Sequence, residues 1–423
     1  MNRQIAFQMS TDTALNRFAL WLPISLILNG YASGIPGVSL GSACFIIFVI
    51  SALFRNKWNI NLISLLAIIT TFAFLLLSLF DFTLYYLPSP VSFLTSFSKI
   101  LIWCMFICCV APTYYNLFYI EKWFTRFGII LTIYLIIQNI GFYGLGIYFP
   151  NIFKFGPLQP YAEGYANYDV LSAGSMIRPA SLLSESSFLG NYLMLNLALV
   201  LQRLKYVPHK RDILLCLFFT FGILLSSSTS AIVLTAAIWV ILGWNILRRY
   251  KFVTFTTLTA AAFYFSINQV SLDQFSNGSQ VDAAIFETFN KLNYMDSNVR
   301  FGKSYRMIDE MSPAQLVTGV GIGNSQTFIS PFIRDDYQYL NSITVFIIES
   351  GIIGAIFLTV LFLAIFLAAL RQRNRLAMTL LVLYVVKVFG SGFLFNTYGV
   401  LYIFVIIGSI VNPVRKFNPL KYV

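Results

Sequence analysis

The sequence predicts an all-α integral membrane protein of about twelve transmembrane helices, forming one polytopic domain over residues 1–423. Three observations predict it. Of the residues, 58% are hydrophobic and only 10% are charged, against about 25% charged in ordinary soluble domains. The apolar residues come in runs approaching the roughly 20 residues that cross a bilayer. Lysine and arginine gather on alternate sides of those runs, as retention of basic loops in the cytoplasm requires.

The runs lie at about 18–34, 38–54, 60–80, 95–112, 126–148, 183–201, 213–226, 230–247, 252–270, 342–370, 376–394 and 397–411. The first lacks a small-residue cleavage site after it and reads as a retained span. YASGIPG is the turn between the first two. The seventh is short and ends in SSSTS, whose hydroxyls can satisfy backbone groups at a tight hairpin.

One set of loops holds RNK (55–57), Lys122, Arg126, QRLKYVPHKR (202–211), RRYK (248–251), RQRNR (371–375) and VRKFNPLK (414–421). With Arg3 and Arg17, that side carries 19 basic and 3 acidic residues, and the other carries 8 and 12. Lys387 and Glu349 lie within spans. Both termini are therefore expected in the cytoplasm. The net charge of +12 is a topology signal, and no nucleic-acid partner is expected, because no basic stripe is interleaved with aromatics in a soluble unit. The five cysteines sit in apolar runs without metal spacing and read as small hydrophobes. No disulfide, metal or cofactor is expected.

Two extracytoplasmic loops, 149–182 and 271–341, are far longer than ordinary connections. They mix aromatics, Arg, Asp, Glu and Gly, so the chemistry is expected on the outer face.

The first stretch of interest is MIRPASLLSESSFLG (176–190). Pro179 suits the first position of a helix. Arg178 then sits at the membrane mouth, with Glu185 about 9 Å deeper at 1.5 Å per residue. Seven residues are nearly two turns, so the pair can share a face. A carboxylate facing lipid costs on the order of 3 kcal/mol near the bilayer centre, less near its edge. Glu185 is therefore expected to face a wet cavity or a cation. The plainer alternative is a snorkelling Arg178 and a Glu185 paired with a neighbouring helix.

NVRFGKSYRMIDEM (298–311) reads as an amphipathic helix on the outer membrane surface. Phe301, Tyr305 and Ile308 fall within an arc of about 60°, with Lys303, Arg306 and Glu310 opposite. An Arg306–Glu310 pair on a solvated face is the alternative. Arg300 lacks so obvious a partner. TGVGIGNSQ (318–326) lacks the GK[ST] of a nucleotide loop. It reads first as a flexible turn that re-enters toward the membrane, though its backbone N–H groups could touch a phosphate. Glu349 and Lys387 have matching depths on successive spans and are expected to form a structural ion pair. The only histidine, His209, is on the cytoplasmic side beside Lys210 and Arg211 and reads as solvated.

The run RPASLLSESSFLG (178–190) resembles the Arg and Glu-Pro-Ser element of the O-antigen and capsule polymerases, the Wzy-type proteins, with Ser186 standing where that family often has Pro. VRFGKSYRMIDEMSPAQLVTGVGIGNS (299–325) resembles their second large periplasmic loop, and IIESGIIGAIFL (347–358) the span after it. The resemblance covers the layout of the whole chain. It implies a multi-pass protein of the bacterial inner membrane. The activity implied is a metal-independent glycosyltransferase that polymerises undecaprenyl-pyrophosphate-linked oligosaccharide at the periplasmic face. It also implies a chain-length regulator as partner.

Under that reading Arg178, Arg300 and Arg306 stabilise the leaving pyrophosphate, since arginine holds such oxygens with parallel N–H bonds. Glu185 is the candidate base for the acceptor hydroxyl; desolvation favours that role and a nearby Arg opposes it. Lys303, Arg334, Gly321, Gly323 and Asn324 are candidate substrate contacts, and Tyr161, Tyr165, Tyr168 and Tyr337 could line a glycan path. The O-antigen ligases of the same superfamily carry a histidine in the large loop, and residues 271–341 hold none. A lipid-linked oligosaccharide flippase would need ionisable groups along a transmembrane path and often two related halves. An O-acetyltransferase of surface glycans would need an intramembrane histidine. The polymerase is the expectation these comparisons leave in front.

Overall fold

The computed structural model describes residues 2–35, 38–55, 61–84, 88–147, 149–153, 155–159, 179–206, 209–226, 228–249, 302–331 and 341–412. The helices are α1 (Asn2–Ile27), α2 (Leu40–Phe54), α3 (Leu62–Leu84) and α4 (Pro90–Met105), which runs through a π turn (Phe106–Val110) into α5 (Ala111–Tyr114). α6 (Leu117–Asn139) ends in a second π turn (Ile140–Gly144). Then come α7 (Ser186–Tyr206), α8 (Lys210–Leu225), α9 (Thr229–Leu242) and α10 (Trp244–Arg249). After them stand α11 (Gly302–Asp309), α12 (Pro313–Thr318), α13 (Ser325–Ile329), α14 (Ser342–Arg371), α15 (Arg375–Gly390) and α16 (Thr397–Val411). Among the described residues there is no strand.

Four helices are long and apolar enough to cross a membrane: Leu62–Phe82, Pro90–Tyr114, Leu117–Phe142 and Ser342–Arg371. Each expected span carries a helix except 252–270, which lies outside the described residues. The helices are inside-out relative to those of a water-soluble protein. The exposed side of α3 is Leu65, Ile68, Ile69, Phe72, Leu76 and Leu79, while its buried side includes Ser64, Thr70, Ser78 and Asp81. On α14 the exposed residues Ile352, Ile356, Val360, Leu363, Leu367 and Leu370 recur at helical spacing. Apolar stripes of this kind suit lipid, where polar groups turn inward to find partners. The chain is a membrane-embedded, all-helical protein in its described part.

With no water in hydrocarbon, helix ends need partners from the chain itself. Ser39, Ser89, Asn341, Asn374 and Asn396 each accept the third backbone N–H of the helix they open. Ser312 and Gln315 form a reciprocal capping box on α12, with Pro313 at its first position.

The chain divides into two compact units. The first holds α1–α5, the start of α6, and α11–α16. Its centre is α16, buried from Thr397 to Ile410. The second holds the rest of α6 and α7–α10. Its centre is α7, on which every residue from Leu189 to Gln202 is buried and against which α8 and α9 pack. Arg203 closes the α7–α8 hairpin with two hydrogen bonds to Asp212, one from Nε to Oδ2 at 2.9 Å and one from Nη2 to Oδ1.

Candidate functional site

In the first unit, the glycine-rich segment after α12 is a buried loop, not a flexible surface turn. Gly319 to Ser325 are all buried. Gly319, Gly321 and Gly323 have φ of 99°, 90° and 82°, a region in which side chains are strained. Space forbids side chains too: a Cβ on Gly319 would meet the Glu349 carbonyl, one on Gly321 the Phe82 ring, and one on Gly323 the backbone of Ser92 and Phe93. The alternation of glycines thus lets the loop pass between α3, α4 and α14 at backbone contact.

Every amide of the loop is engaged. Gly319 N–H donates to Gln315 O at 2.7 Å, Val320 to Ile348 O at 2.8 Å, Gly321 to Glu349 O at 3.1 Å and Asn324 to Gly321 O at 3.2 Å. Ile322 N–H donates to Ser78 Oγ at 3.0 Å. The amides of Gly323 and Ser325 lie beside the Glu349 carboxylate. A phosphate held by the amides of Gly321, Gly323 or Asn324 would have to displace these bonds, so the structure gives those residues a packing role. The acceptors on α14 are available because Gly351 has φ 63° and ψ −170°, which breaks the regular helix beside Ile348 and Glu349.

Glu349 is the node of this arrangement. It is 6% exposed, and the Ser325 hydroxyl donates to its Oε1 at 2.7 Å. Lys99 of α4, an exposed residue not singled out from the sequence, lies within electrostatic reach of it. Lys387, the partner expected from depth, is also buried, at 3%, on the adjacent α15. Asp81 was missed as well. It is fully buried near the end of α3. The Thr318 hydroxyl lies beside it but donates to Ala314 O at 3.2 Å, so neither oxygen of Asp81 has a hydrogen-bond partner.

α11 forms within the segment expected to be amphipathic, and the side chains of Phe301 and Tyr305 lie outside the described residues. Met307 and Met311 are buried against Val320, Phe328, Ile329 and Ile348, whereas Ile308 is only half-buried. The helix and the turn after it dock on protein through Met307 and Met311. Arg306, Asp309 and Glu310 are exposed. Lys303 lies in α11. Arg178, Arg300, Arg334, Tyr161, Tyr165, Tyr168 and Tyr337 lie outside the described residues.

In the second unit, the stretch after Pro179 is not a helix. Ala180 and Ser181 are fully buried, and Ser181 is left-handed at φ 56°. Two amides hold it there. Ser181 N–H donates to Gln138 Oε1 at 2.9 Å, and Gln138 Nε2 donates to Asn151 Oδ1 at 2.9 Å and to Ser181 O at 3.3 Å. Ala180 N–H donates to Asn151 Oδ1 at 3.2 Å, and Ser181 Oγ to Leu131 O at 2.7 Å. α7 therefore begins only at Ser186. Glu185 caps it, its carbonyl accepting from Phe188 N at 3.1 Å and Leu189 N at 3.2 Å. The expected two turns of helix between Arg178 and Glu185 do not exist, and Glu185 stands half-buried at the head of α7 rather than within it.

No protein-family model matches this chain, and no curated protein matches it.

Chemically, the first unit offers a buried carboxylate bonded by the Ser325 hydroxyl and a second carboxyl group without hydrogen bonds. The second offers a carboxylate at a helix start, held by a rigid turn. Among the described residues no group of His, Cys, Asp and Glu could hold a metal.

Proposed function

We propose that the protein is a membrane glycosyltransferase that joins undecaprenyl-pyrophosphate-linked oligosaccharide repeat units into O-antigen or capsular polysaccharide at the periplasmic face of the bacterial inner membrane. One observation carries this reading. Two of the three segments that resemble the polymerases, 299–325 and 347–358, meet in the structure at Val320–Ser325 and Ile348–Glu349. Val320 and Gly321 bond the backbone of Ile348 and Glu349, and Ser325 bonds the Glu349 side chain. Residues that recur together as a motif would be expected to meet in this way.

In this reading the acceptor hydroxyl attacks the anomeric carbon of the donor. The bond from that carbon to the pyrophosphate oxygen breaks, and the electron pair leaves with the pyrophosphate. Arg178, Arg300 and Arg306 neutralise the charge that builds there, and Glu185 takes the hydroxyl proton. The lipid stays in the bilayer while the sugars reach outward.

The test is a gel of surface glycan from a strain lacking the gene, with and without plasmid rescue. Loss of the long ladder with a single repeat still attached to its carrier supports polymerisation. Loss of the single repeat as well moves the role to export or attachment, the work of a flippase or a ligase. Full ladders with Arg178→Ala and Glu185→Ala at normal protein level would remove those residues from the mechanism.

A further inference from the structure

Where α5 gives way to α6, the first unit holds cations on fixed aromatic rings. Tyr114 closes one membrane-crossing helix, Pro90–Tyr114, and Leu117 opens the next, Leu117–Phe142, so this end stands at a membrane surface. The 26 residues from Leu117 to Phe142 reach about 39 Å, against roughly 30 Å of hydrocarbon. The excess lies in the headgroup layers, where tryptophans such as the half-buried Trp123 gather.

α1 brings the rings together. Its Asn16 Oδ1 accepts from Trp123 Nε1 at 2.8 Å. Two residues on, Phe18 stacks on Tyr114 with ring centroids 4.5 Å apart, and the Tyr114 hydroxyl is hydrogen-bonded to Ser51 Oγ of α2. Both rings carry cations. The Arg126 guanidinium lies 5.0 Å from the Trp123 ring and the Lys122 ammonium 5.7 Å from it. The Arg55 guanidinium, just beyond α2, lies 5.3 Å from the Tyr114 ring. All fall within the roughly 6 Å at which a ring attracts a cation. Asn16 and Phe18 point about 200° apart on α1, and the exposed Arg17 projects between them.

No described acidic side chain answers this charge. Lys122 and Arg126 are one turn apart on α6, a like-charged pair that opposes the helix. Neither forms an ion pair among the described residues. Glu121 is buried, about 100° and 140° round the helix from them. A ring face holds a cation without using its N–H bonds, so Lys122 keeps three donors and Arg126 five. An oxyanion between them would take up those donors and end the repulsion.

We propose that this surface binds the headgroup phosphate of an anionic phospholipid. Lys122 and Arg126 donate to the phosphate, Trp123 is the platform that positions them, and Arg17 and Arg55 add flanking charge. A phospholipid is the source because its phosphate already lies at this depth, and basic residues beside an anionic leaflet draw its lipids. The site is independent of the glycosyltransferase reading.

The test is native mass spectrometry of the full-length protein in neutral detergent, titrated with phosphatidylglycerol or phosphatidylcholine of equal chain length. Wild type is expected to bind phosphatidylglycerol about ten-fold or more tightly. Lys122→Gln with Arg126→Gln should lose most of that preference, and Trp123→Leu should lower it. Lys122→Arg should keep it. Arg126→Gln alone, at an exposed position, should lose about five-fold and carries the same comparison if the double variant fails to fold. Removing equal charge from the exposed start of α8, by Lys210→Gln with Arg211→Gln, should leave the preference intact. Equal losses in the two double variants would mean that net charge alone attracts the lipid, which overturns the site. So would a wild type without preference, or an unchanged preference in both Lys122→Gln with Arg126→Gln and Arg126→Gln. Glycerol 1-phosphate bound as tightly as phosphatidylglycerol would assign the site to a soluble phosphate and overturn the choice of a lipid.

Discussion

The Ser325 hydroxyl donates to Glu349 Oε1 at 2.7 Å, so the residue that opens α13 fastens a carboxylate buried in α14. Ser325→Ala leaves that buried oxygen short of a donor. The expected loss is about 1–3 kcal/mol, read as a lower unfolding temperature in detergent, with Ser325→Thr retaining most of the stability. A Ser325→Ala protein that unfolds with wild type would mean that the hydroxyl contributes nothing to the clamp.

Gly351 is the second part of the same device. At φ 63° and ψ −170° it occupies a region almost restricted to glycine, where other residues are strained by on the order of 1–3 kcal/mol. A Cβ there would also collide with the Val317 carbonyl. Gly351→Ala is expected to lower protein level in membranes sharply. Gly34, at φ 84° with open space around its Cβ position, is the control: Gly34→Ala meets strain alone and should cost only about 1 kcal/mol. Equal effects at the two sites would show that the loop contact is unimportant.

Much of this was legible in the sequence, and the failures have physical causes. Apolar runs mark helices because lipid imposes one requirement on every exposed face, and polar caps such as Asn341 and Asn396 mark their starts. The alternating glycines were legible as a turn but not as a buried one. The partners that bury it, Ser78 and Ser92, lie 244 and 231 residues away in the chain. Pro179 permits a helix, and nothing local forbids one; Gln138 and Asn151 impose the left-handed Ser181 from a distance. The docking of Met307 and Met311 on the loop and α14 carried no local signal beyond the readiness of methionine to pack into irregular gaps. Lys99 was counted with the outer-side charges although it falls within the expected span 95–112.

Charge depth matched Glu349 with Lys387, and Lys99 lies within electrostatic reach of the same carboxylate. Double-mutant cycles separate the two. Removing one partner of a buried pair typically costs about 3–5 kcal/mol, and contacting residues couple by roughly 0.5–3 kcal/mol. Glu349→Gln should therefore couple strongly to Lys99→Met, with the double variant recovering much of the loss. Coupling to Lys387→Met is expected to be weaker. A larger coupling to Lys387 would restore the pairing read from sequence and remove the support for Lys99.

The turn that carries Glu185 depends on two amides whose roles differ. Asn151 uses its Oδ1 to accept from Gln138 Nε2 and Ala180 N. Asn151→Asp keeps an oxygen where both donors point. Gln138 uses both ends: Oε1 accepts from Ser181 N, and Nε2 faces the carbonyls of Phe149, Pro150 and Ser181. Gln138→Glu therefore turns an acceptor oxygen toward these three and toward Asn151 Oδ1. Both variants add one carboxyl group to a buried site, so desolvation is shared and the difference isolates the polarity of the neighbours. Gln138→Glu is expected to cost more, by about 1–3 kcal/mol, in thermal unfolding of the purified protein. If Glu185 acts from this turn, the surface glycan of a Gln138→Glu strain should shorten as well, and that of Asn151→Asp much less. Equal stability of the two variants would mean that the amide pair does not hold Ser181, and the rigid presentation of Glu185 would lose its basis.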